Sequence, residues 1–176
     1  MARVAAAAEL APGTVYLYFP SKDSLYLALL GDGYELLLAQ LKRAVAGARS
    51  PVEASEKLVD TFLDFARQQP AYFDILIFAL RFGKGPAVRF PEAQLNHLAQ
   101  MDLACKTVGI EVLRRLGHPA PEAGVQAIWA MLAGMVHFFR DDPEYDAVAA
   151  EARRIILRSV SAEAPGAERA GSGPQT

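Results

Sequence analysis

Helix signals recur along almost the whole of this chain, and they restrict it to a helical fold. From Ser21 onward apolar residues repeat at steps of three and four, as on one face of an α-helix, and no convincing strand alternation appears. Proline, glycine and capping residues divide this pattern into segments, and residues 83–91 read as a loop. We therefore expect an all-α protein. The predicted helices lie at about 22–46, 51–69, 70–82, 91–116, 122–139 and 144–161.

The composition fits a globular protein with a large core. Hydrophobic residues make up 52% and charged residues 22% of the 176 residues, enough chain for a small head and a larger body. The net charge of −2 excludes a generic polyanion binder, although a local positive patch would suffice for DNA. The single cysteine, Cys105, excludes an intrachain disulfide and fits a reducing compartment. No apolar run approaches the roughly 18 residues that span a bilayer, so we expect a cytoplasmic protein.

A ten-residue segment near the N-terminus, residues 13–22, has the sequence GTVYLYFPSK. Pro12, just before it, suits the first position of a short helix, where its missing N–H has no intrahelical partner. Thr14 and Tyr16 then point the same way from the early turns of that helix. Val15, in contrast, can face inward and hold the helix against its neighbour. The segment therefore predicts a helix of about two turns with a polar, outward-facing side.

This segment resembles the second half of the DNA-reading head of TetR-type transcriptional repressors. In that family the pattern Gly-Thr-apolar-Tyr-x-Tyr-Phe-x-Ser/Asn-Lys marks the recognition helix and the entry into the next helix. The resemblance implies a helix-turn-helix head with its connecting helix at 1–46, in which Thr14 and Tyr16 contact bases or the groove. It also implies that Tyr18 and Lys22 contact phosphates. The implied DNA-binding residues are Pro12, Gly13, Thr14, Tyr16, Tyr18 and Lys22.

Two features depart from the family pattern. The turn before the recognition helix reads Ala8-Glu9-Leu10-Ala11 where the family usually has Ala-Gly-Val-Ser, so a glycine suited to positive φ and a serine cap are missing. The chain also begins inside the motif, without the family's first helix, and we expect a late start assignment or a truncated form. Two alternatives follow: an ordinary amphipathic hairpin, or a helical ligand-binding and dimerisation protein that has lost DNA binding through N-terminal truncation.

The order of the later helices resembles the regulatory body of the same family, here at 47–161. In the family the last two helices pair with their copies in a second subunit, so the resemblance implies a homodimer that presents two heads to a near-palindromic site. The alternative is that these residues fill a monomeric core. Residues 162–176 are rich in Gly, Pro, Ala and Ser, and we expect a disordered tail. The implied interface residues are Ala130, Met131, Gly134, Phe138, Val148, Ala152, Ile155 and Ile156.

The family body also encloses a pocket for a small molecule whose binding lowers the affinity for DNA. Such a switch depends on a difference in ligand affinity between two conformations. Aromatic and methionine side chains on inner helix faces would suit an apolar effector, although each also fits plain core packing. His97 and His137 each need a partner, because a polar ring lies on an otherwise apolar helix. The candidate ligand-binding residues are Phe62, Phe65, Phe78, His97, Met101, Cys105, Trp129 and His137.

Enzyme signatures are absent from the sequence. It contains no phosphate-binding glycine loop, no His-Glu-x-x-His metal motif and no Gly-x-Ser-x-Gly nucleophile elbow. Cys105 lies within an apolar stripe, where it behaves as a small hydrophobe. We therefore expect no catalysis, no metal and no cofactor. The predicted function is a ligand-responsive transcriptional regulator, a repressor that a small apolar effector releases from its DNA operator.

Overall fold

The computed structural model describes residues 1–82 and 92–162, with side chains for residues 1–77 and 92–160. That part of the chain contains eight α-helices and no strand, which confirms the all-α prediction. Six helices were predicted, and the observed helices at these places begin and end within one residue of the predicted bounds. The predicted loop at 83–91 and the predicted tail beyond Ala162 lie outside the described residues. The helices are α1 (Ala2–Ala7), α2 (Pro12–Tyr18), α3 (Lys22–Ala46), α4 (Pro51–Gln68), α5 (Pro70–Phe82), α6 (Glu92–Arg115), α7 (Pro121–Phe139) and α8 (Tyr145–Ala162).

Side-chain caps fix the starts of α3, which leads from the head into the body, and of α4, the next helix. Ser21 Oγ accepts a hydrogen bond from the Ser24 backbone N–H at 3.0 Å, and Ser24 Oγ accepts one from the Ser21 N–H at 3.0 Å, which completes a capping box for α3. Ser50 Oγ accepts from the Glu53 N–H at 3.1 Å and caps α4. Each cap of this type stabilises its helix by about 1 kcal/mol.

Helix α3 runs through the body and packs against α4, α5 and α6, while α7 and α8 pack against each other and against α4. Gly33 permits the close approach of α5, because a methyl group at this position would lie only 3.2 Å from Tyr72 Cδ1. One core therefore joins helices from α3 to α8. Its largest fully buried side chains are Phe65, Leu37, Ile156, Val112 and Val136.

Candidate functional site

The head exposes most of the surface of its short second helix, α2. Val15 is 5% exposed and anchors α2, whereas Tyr16 and Tyr18 are 50% and 72% exposed. Thr14 is half-buried, and Lys22 is exposed at the first position of α3. The residues predicted to contact DNA thus lie together on α2 and at the start of α3. Those exposed are Pro12, Gly13, Tyr16, Tyr18 and Lys22.

Leu17 is an exposed apolar residue of α2 that the sequence analysis did not single out. Its side chain is 78% exposed, and the family pattern leaves this position unspecified. The charged residues around α2 are balanced: Arg3 and Lys22 are exposed, and so are Glu9 and Asp23. This part of the surface therefore offers hydroxyl, phenol and apolar groups more than positive charge.

The turn between α1 and α2 is strained at Glu9. The Glu9 N–H donates to Ala6 O at 3.2 Å and the Leu10 N–H donates to Ala5 O at 2.9 Å, which is the hydrogen-bond pattern of a Schellman motif. That motif places its penultimate residue in the left-handed region, and Glu9 has φ 56°. Glycine adopts this conformation without steric cost, whereas a residue with a Cβ is disfavoured there by about 1 kcal/mol. At the next helix, the N-cap Ala11 offers no side-chain hydrogen bond.

An apolar cavity lies in the body between α3, α4, α6, α7 and α8. Its volume is about 80 Å³, several times the space that one water molecule requires. The predicted residues Phe62, Cys105 and Trp129 line it, and the rings of Phe62 and Trp129 meet edge to face with centroids 4.9 Å apart. The other lining residues are mainly aliphatic, among them Leu58, Val59, Val112, Val125, Ile128, Leu132 and Ile156.

The remaining predicted ligand residues do not line this cavity. Phe65 is 1% exposed in the adjoining core, and Met101 is half-buried one helical turn before Cys105. His97 and His137 are exposed. Along the helix axis, His97 lies about 12 Å from Cys105 and His137 about 7 Å from Leu132, which are the nearest lining residues on their helices. Their imidazoles therefore have access to solvent and need no buried partner. The side chain of Phe78 lies outside the described residues.

Four residues that line the cavity carry polar side-chain atoms. Ser55 Oγ donates to Val52 O at 2.7 Å, and Cys105 Sγ donates to a carbonyl at 3.8 Å. Lys106 Nζ forms an ion pair with Asp102 Oδ2 at 2.6 Å. Trp129 differs from these three, because its indole N–H is buried and has no hydrogen-bond partner in the part of the chain that the structure describes. Sequence reasoning missed Ser55 and Lys106, since neither belongs to an apolar stripe.

The polar wall of the cavity is connected to α3. Asp102, which pairs with Lys106, also accepts a hydrogen bond from the Tyr34 phenol at 3.3 Å. The carbonyl that accepts from the Cys105 thiol is also that of Tyr34. Because α3 begins at the head, these contacts link the cavity with the helix that carries α2.

The outer surface of α7 and α8 exposes large apolar side chains. Met131 is 43%, Phe138 79% and Ile155 47% exposed. Gly134 lies on the same stripe of α7, and a methyl group built on it would meet no atom within 4 Å. Ala130 is also exposed, and Val148 is half-buried. By contrast, Ala152 and Ile156 are 8% and 1% exposed, because they face α4 and α7 within the core of a single chain; they are not available to a second chain.

Comparison with known proteins agrees with this geometry. Residues 1–29, which contain α1, α2 and the first two turns of α3, match the family model of bacterial regulatory proteins of the tetR family. The N-terminal segment of the chain is therefore similar to that family. The fold of the chain is that of a TetR-family regulatory protein from Rhodococcus RHA1, with a TM-score of 0.73 and 18% identity over 90% of this chain and 84% of that one. The TetR-family transcriptional regulator PfmR from Thermus thermophilus also gives a TM-score of 0.73, with 18% identity over 89% of this chain and 86% of PfmR.

A sequence relative of this chain is the nucleoid occlusion factor SlmA of Haemophilus influenzae (strain PittGG), which is 30% identical over 95 residues. The match covers 54% of this chain and 40% of SlmA, so the chain spans less than half the length of that relative. Among the described residues, no helix combines the length and apolar character needed to cross a membrane. The same residues contain no group of three or more His, Cys, Asp or Glu side chains placed to hold a metal ion.

Proposed function

We propose that the protein is a cytoplasmic, ligand-responsive transcriptional regulator that binds DNA as a homodimer. It acts as a repressor that a small apolar molecule releases from a near-palindromic operator. The observation that carries this proposal is the exposed face of α2, with Tyr16 and Tyr18 turned outward inside the segment that matches the TetR-family model.

The chemistry of α2 suits a recognition helix. In helix-turn-helix docking, the N-terminal part of the second helix enters the major groove and its side chains reach base edges. Thr14 and Tyr16 occupy that part of α2 and supply a hydroxyl and a phenol. Tyr18 and Lys22, at the end of α2 and the start of α3, suit phosphate oxygens, which position the head without reading sequence.

The surface of α7 and α8 suits a two-fold interface. Exposed apolar patches on a monomer mark sites of association, and this patch combines a bulky Phe138 with an open position at Gly134. A second copy could bring the same groups into an isologous contact. The proposed interface consists of Ala130, Met131, Gly134, Phe138, Ile155 and the half-buried Val148, and it omits the core residues Ala152 and Ile156.

The cavity is the proposed effector site. It is mainly apolar, and ligand sites of this kind use a few polar groups to orient the bound molecule. The hydrogen bond between Asp102 and Tyr34 offers a route from the cavity to α3 and so to the head. Release from DNA would follow if the ligand binds more tightly to a conformation in which the two heads fit the operator poorly.

Selection from a random pool of duplex oligonucleotides tests the proposal, at about 50 mM salt because phosphate contacts weaken as salt rises. We expect enrichment of a sequence with two inverted half-sites about one helical turn of DNA apart, or a multiple of that distance. Failure to enrich any duplex over random competitor would refute DNA binding. The second candidate, a helical ligand-binding and dimerisation protein without DNA binding, is favoured by the weak positive charge of the head, where residues 1–22 contain only Arg3 and Lys22 against Glu9.

A further inference from the structure

Trp129 lines the cavity, and its indole N–H is an unused hydrogen-bond donor. Its indole Nε1 is buried and donates to no protein atom in the described ranges, 1–82 and 92–162. A buried N–H without an acceptor costs free energy, and such groups are rare in folded proteins. The ring is held by packing instead, through its edge-to-face contact with Phe62. The indole is therefore held in position while its N–H has no acceptor in the described part of the chain.

The other polar groups of the wall already have partners. The Ser55 hydroxyl and the Cys105 thiol donate to backbone carbonyls. Lys106 is the one charged side chain among the described lining residues, and Asp102 neutralises it at 2.6 Å. An anionic ligand would have to compete with Asp102 or bury a charge without a partner, which is strongly unfavourable. A cationic ligand would meet the ammonium group of Lys106.

We propose that the cavity binds a neutral, apolar molecule that carries one hydrogen-bond acceptor, such as a carbonyl oxygen, and that this acceptor takes the indole N–H of Trp129. The inference rests on the proposed function in that it assigns the chemistry of the effector site. Binding to the cavity, however, is measurable without DNA.

Three small probes of similar shape separate the possibilities. Acetophenone is neutral and has a carbonyl acceptor, α-methylstyrene replaces that carbonyl with a methylene group, and benzoate carries a negative charge. The chain contains one tryptophan, so indole fluorescence and the single indole N–H resonance in a ¹⁵N spectrum both report on Trp129. We expect acetophenone to bind about tenfold more tightly than α-methylstyrene, and benzoate to bind most weakly. The indole N–H resonance should shift with acetophenone in the manner of a new hydrogen bond.

A matched pair of variants on α7 assigns the preference to the indole N–H. Trp129→Phe keeps an aromatic ring but removes the donor, so the ratio of the two neutral affinities, measured by calorimetry, should fall to about one. Phe139→Leu, an aromatic change on the same helix at a residue outside the cavity, should keep the tenfold ratio. If Trp129→Phe does not fold, as judged by circular dichroism, the wild-type affinities for the three probes and the shift of the indole N–H resonance still test the hydrogen bond to the ligand.

Equal binding of acetophenone and α-methylstyrene would overturn the inference, as would tightest binding of benzoate or no saturable binding of any probe. A preference that persists in Trp129→Phe would do the same. Duplex binding is measured separately by fluorescence anisotropy. If the protein prefers acetophenone but does not bind DNA, the ligand assignment holds and the proposed regulator function is refuted. If it binds DNA without that preference, the ligand assignment is refuted and the regulator function stands.

Discussion

The phenol of Tyr34 donates a hydrogen bond to Asp102 Oδ1 at 3.3 Å, and the other oxygen of that carboxylate binds Lys106 Nζ at 2.6 Å. Burial, with a contribution from the charge of Asp102, raises the pKa of Tyr34 well above its usual value, so the phenol remains a donor near neutral pH. Tyr34 belongs to α3 and Lys106 lines the cavity. This carboxylate thus joins the proposed ligand site to the helix that leads to the head.

Tyr34→Phe should lower the free energy of unfolding by about 1 kcal/mol, because it removes the donor and leaves one oxygen of Asp102 without its partner. Urea denaturation measures this change. Tyr72→Phe is a matched control, since the Tyr72 phenol makes no hydrogen bond within the described residues, and its effect should stay within about 0.5 kcal/mol. Equal effects of the two substitutions would contradict a role for the link between Tyr34 and Asp102.

Cys105 should make the protein less stable in alkaline solution. Burial, with a smaller contribution from the charge of Asp102, raises the pKa of the Cys105 thiol from 9.0 to about 12. Between these pH values the folded protein keeps the thiol proton while the unfolded chain loses it, so the free energy of unfolding falls as pH rises above about 9.

Cys105→Ala removes this contribution while the alkaline effect of Tyr34 remains. Between about pH 8 and pH 10, the wild-type free energy of unfolding should therefore fall by about 1 kcal/mol more than that of the variant. Urea titrations at the two pH values measure the difference. Parallel loss of stability in the two proteins would show that the thiol titrates normally in the fold.

Glu9→Gly should stabilise the head by about 1 kcal/mol, because Glu9 has φ 56° in a motif that favours glycine. Glu9→Ala is the control, since it removes the same charge but retains a Cβ, and it should give no such gain. Amide hydrogen exchange in α2 is the measurement, with protection about fivefold higher in the glycine variant. A gain of similar size in both variants would point to the charge of Glu9 and not to its backbone conformation.

Helix boundaries could be predicted closely because their determinants are local. Ser21 caps α3 through a residue three positions away, and Pro51 and Pro121 occupy first-turn positions that suit proline. Gly117, two residues beyond the end of α6, has φ 76°, a conformation that glycine adopts readily at the end of a helix. Each of these signals acts within about one turn, so a single sequence contains it.

The residues that line the cavity could be predicted only in part. The cavity lies where the helices cross, and a single sequence does not show at which residue of each helix the crossing falls. Helical periodicity gave the inner faces and so identified Phe62, Cys105 and Trp129. It could not show that His97 and His137 lie at exposed positions beyond the nearest lining residues of their helices, Cys105 and Leu132. The same limit explains Ala152 and Ile156, since α8 has apolar residues on two sides and only tertiary packing decides which side is buried.

Gly134→Leu should convert the proposed homodimer into a folded monomer. A methyl group at Gly134 meets nothing within 4 Å in its own chain, so the larger side chain acts mainly on a second chain packed against α7, where overpacking is unfavourable. Gly31→Leu is the control, because Gly31 is equally open but lies on α3, outside the proposed interface. Sedimentation velocity at low micromolar concentration tests this, and a dimeric Gly134→Leu would place the interface elsewhere.

Tyr16→Ala should abolish specific DNA binding without affecting the fold or the oligomeric state. Tyr16 is 50% exposed, whereas its neighbour Val15 holds α2 in place at 5% exposure, so truncation of Tyr16 removes a groove contact and little packing. Val52→Ala on α4 is a control of similar exposure, 43%, on the body. Gel-shift titration of the selected duplex measures DNA binding by the two variants, and size-exclusion chromatography checks that both keep the wild-type oligomeric state. Because groove contacts carry sequence preference and phosphate contacts do not, Tyr16→Ala should lose the selected duplex while keeping weak binding to random DNA. Unchanged affinity for the selected duplex would remove Tyr16 from the reading surface.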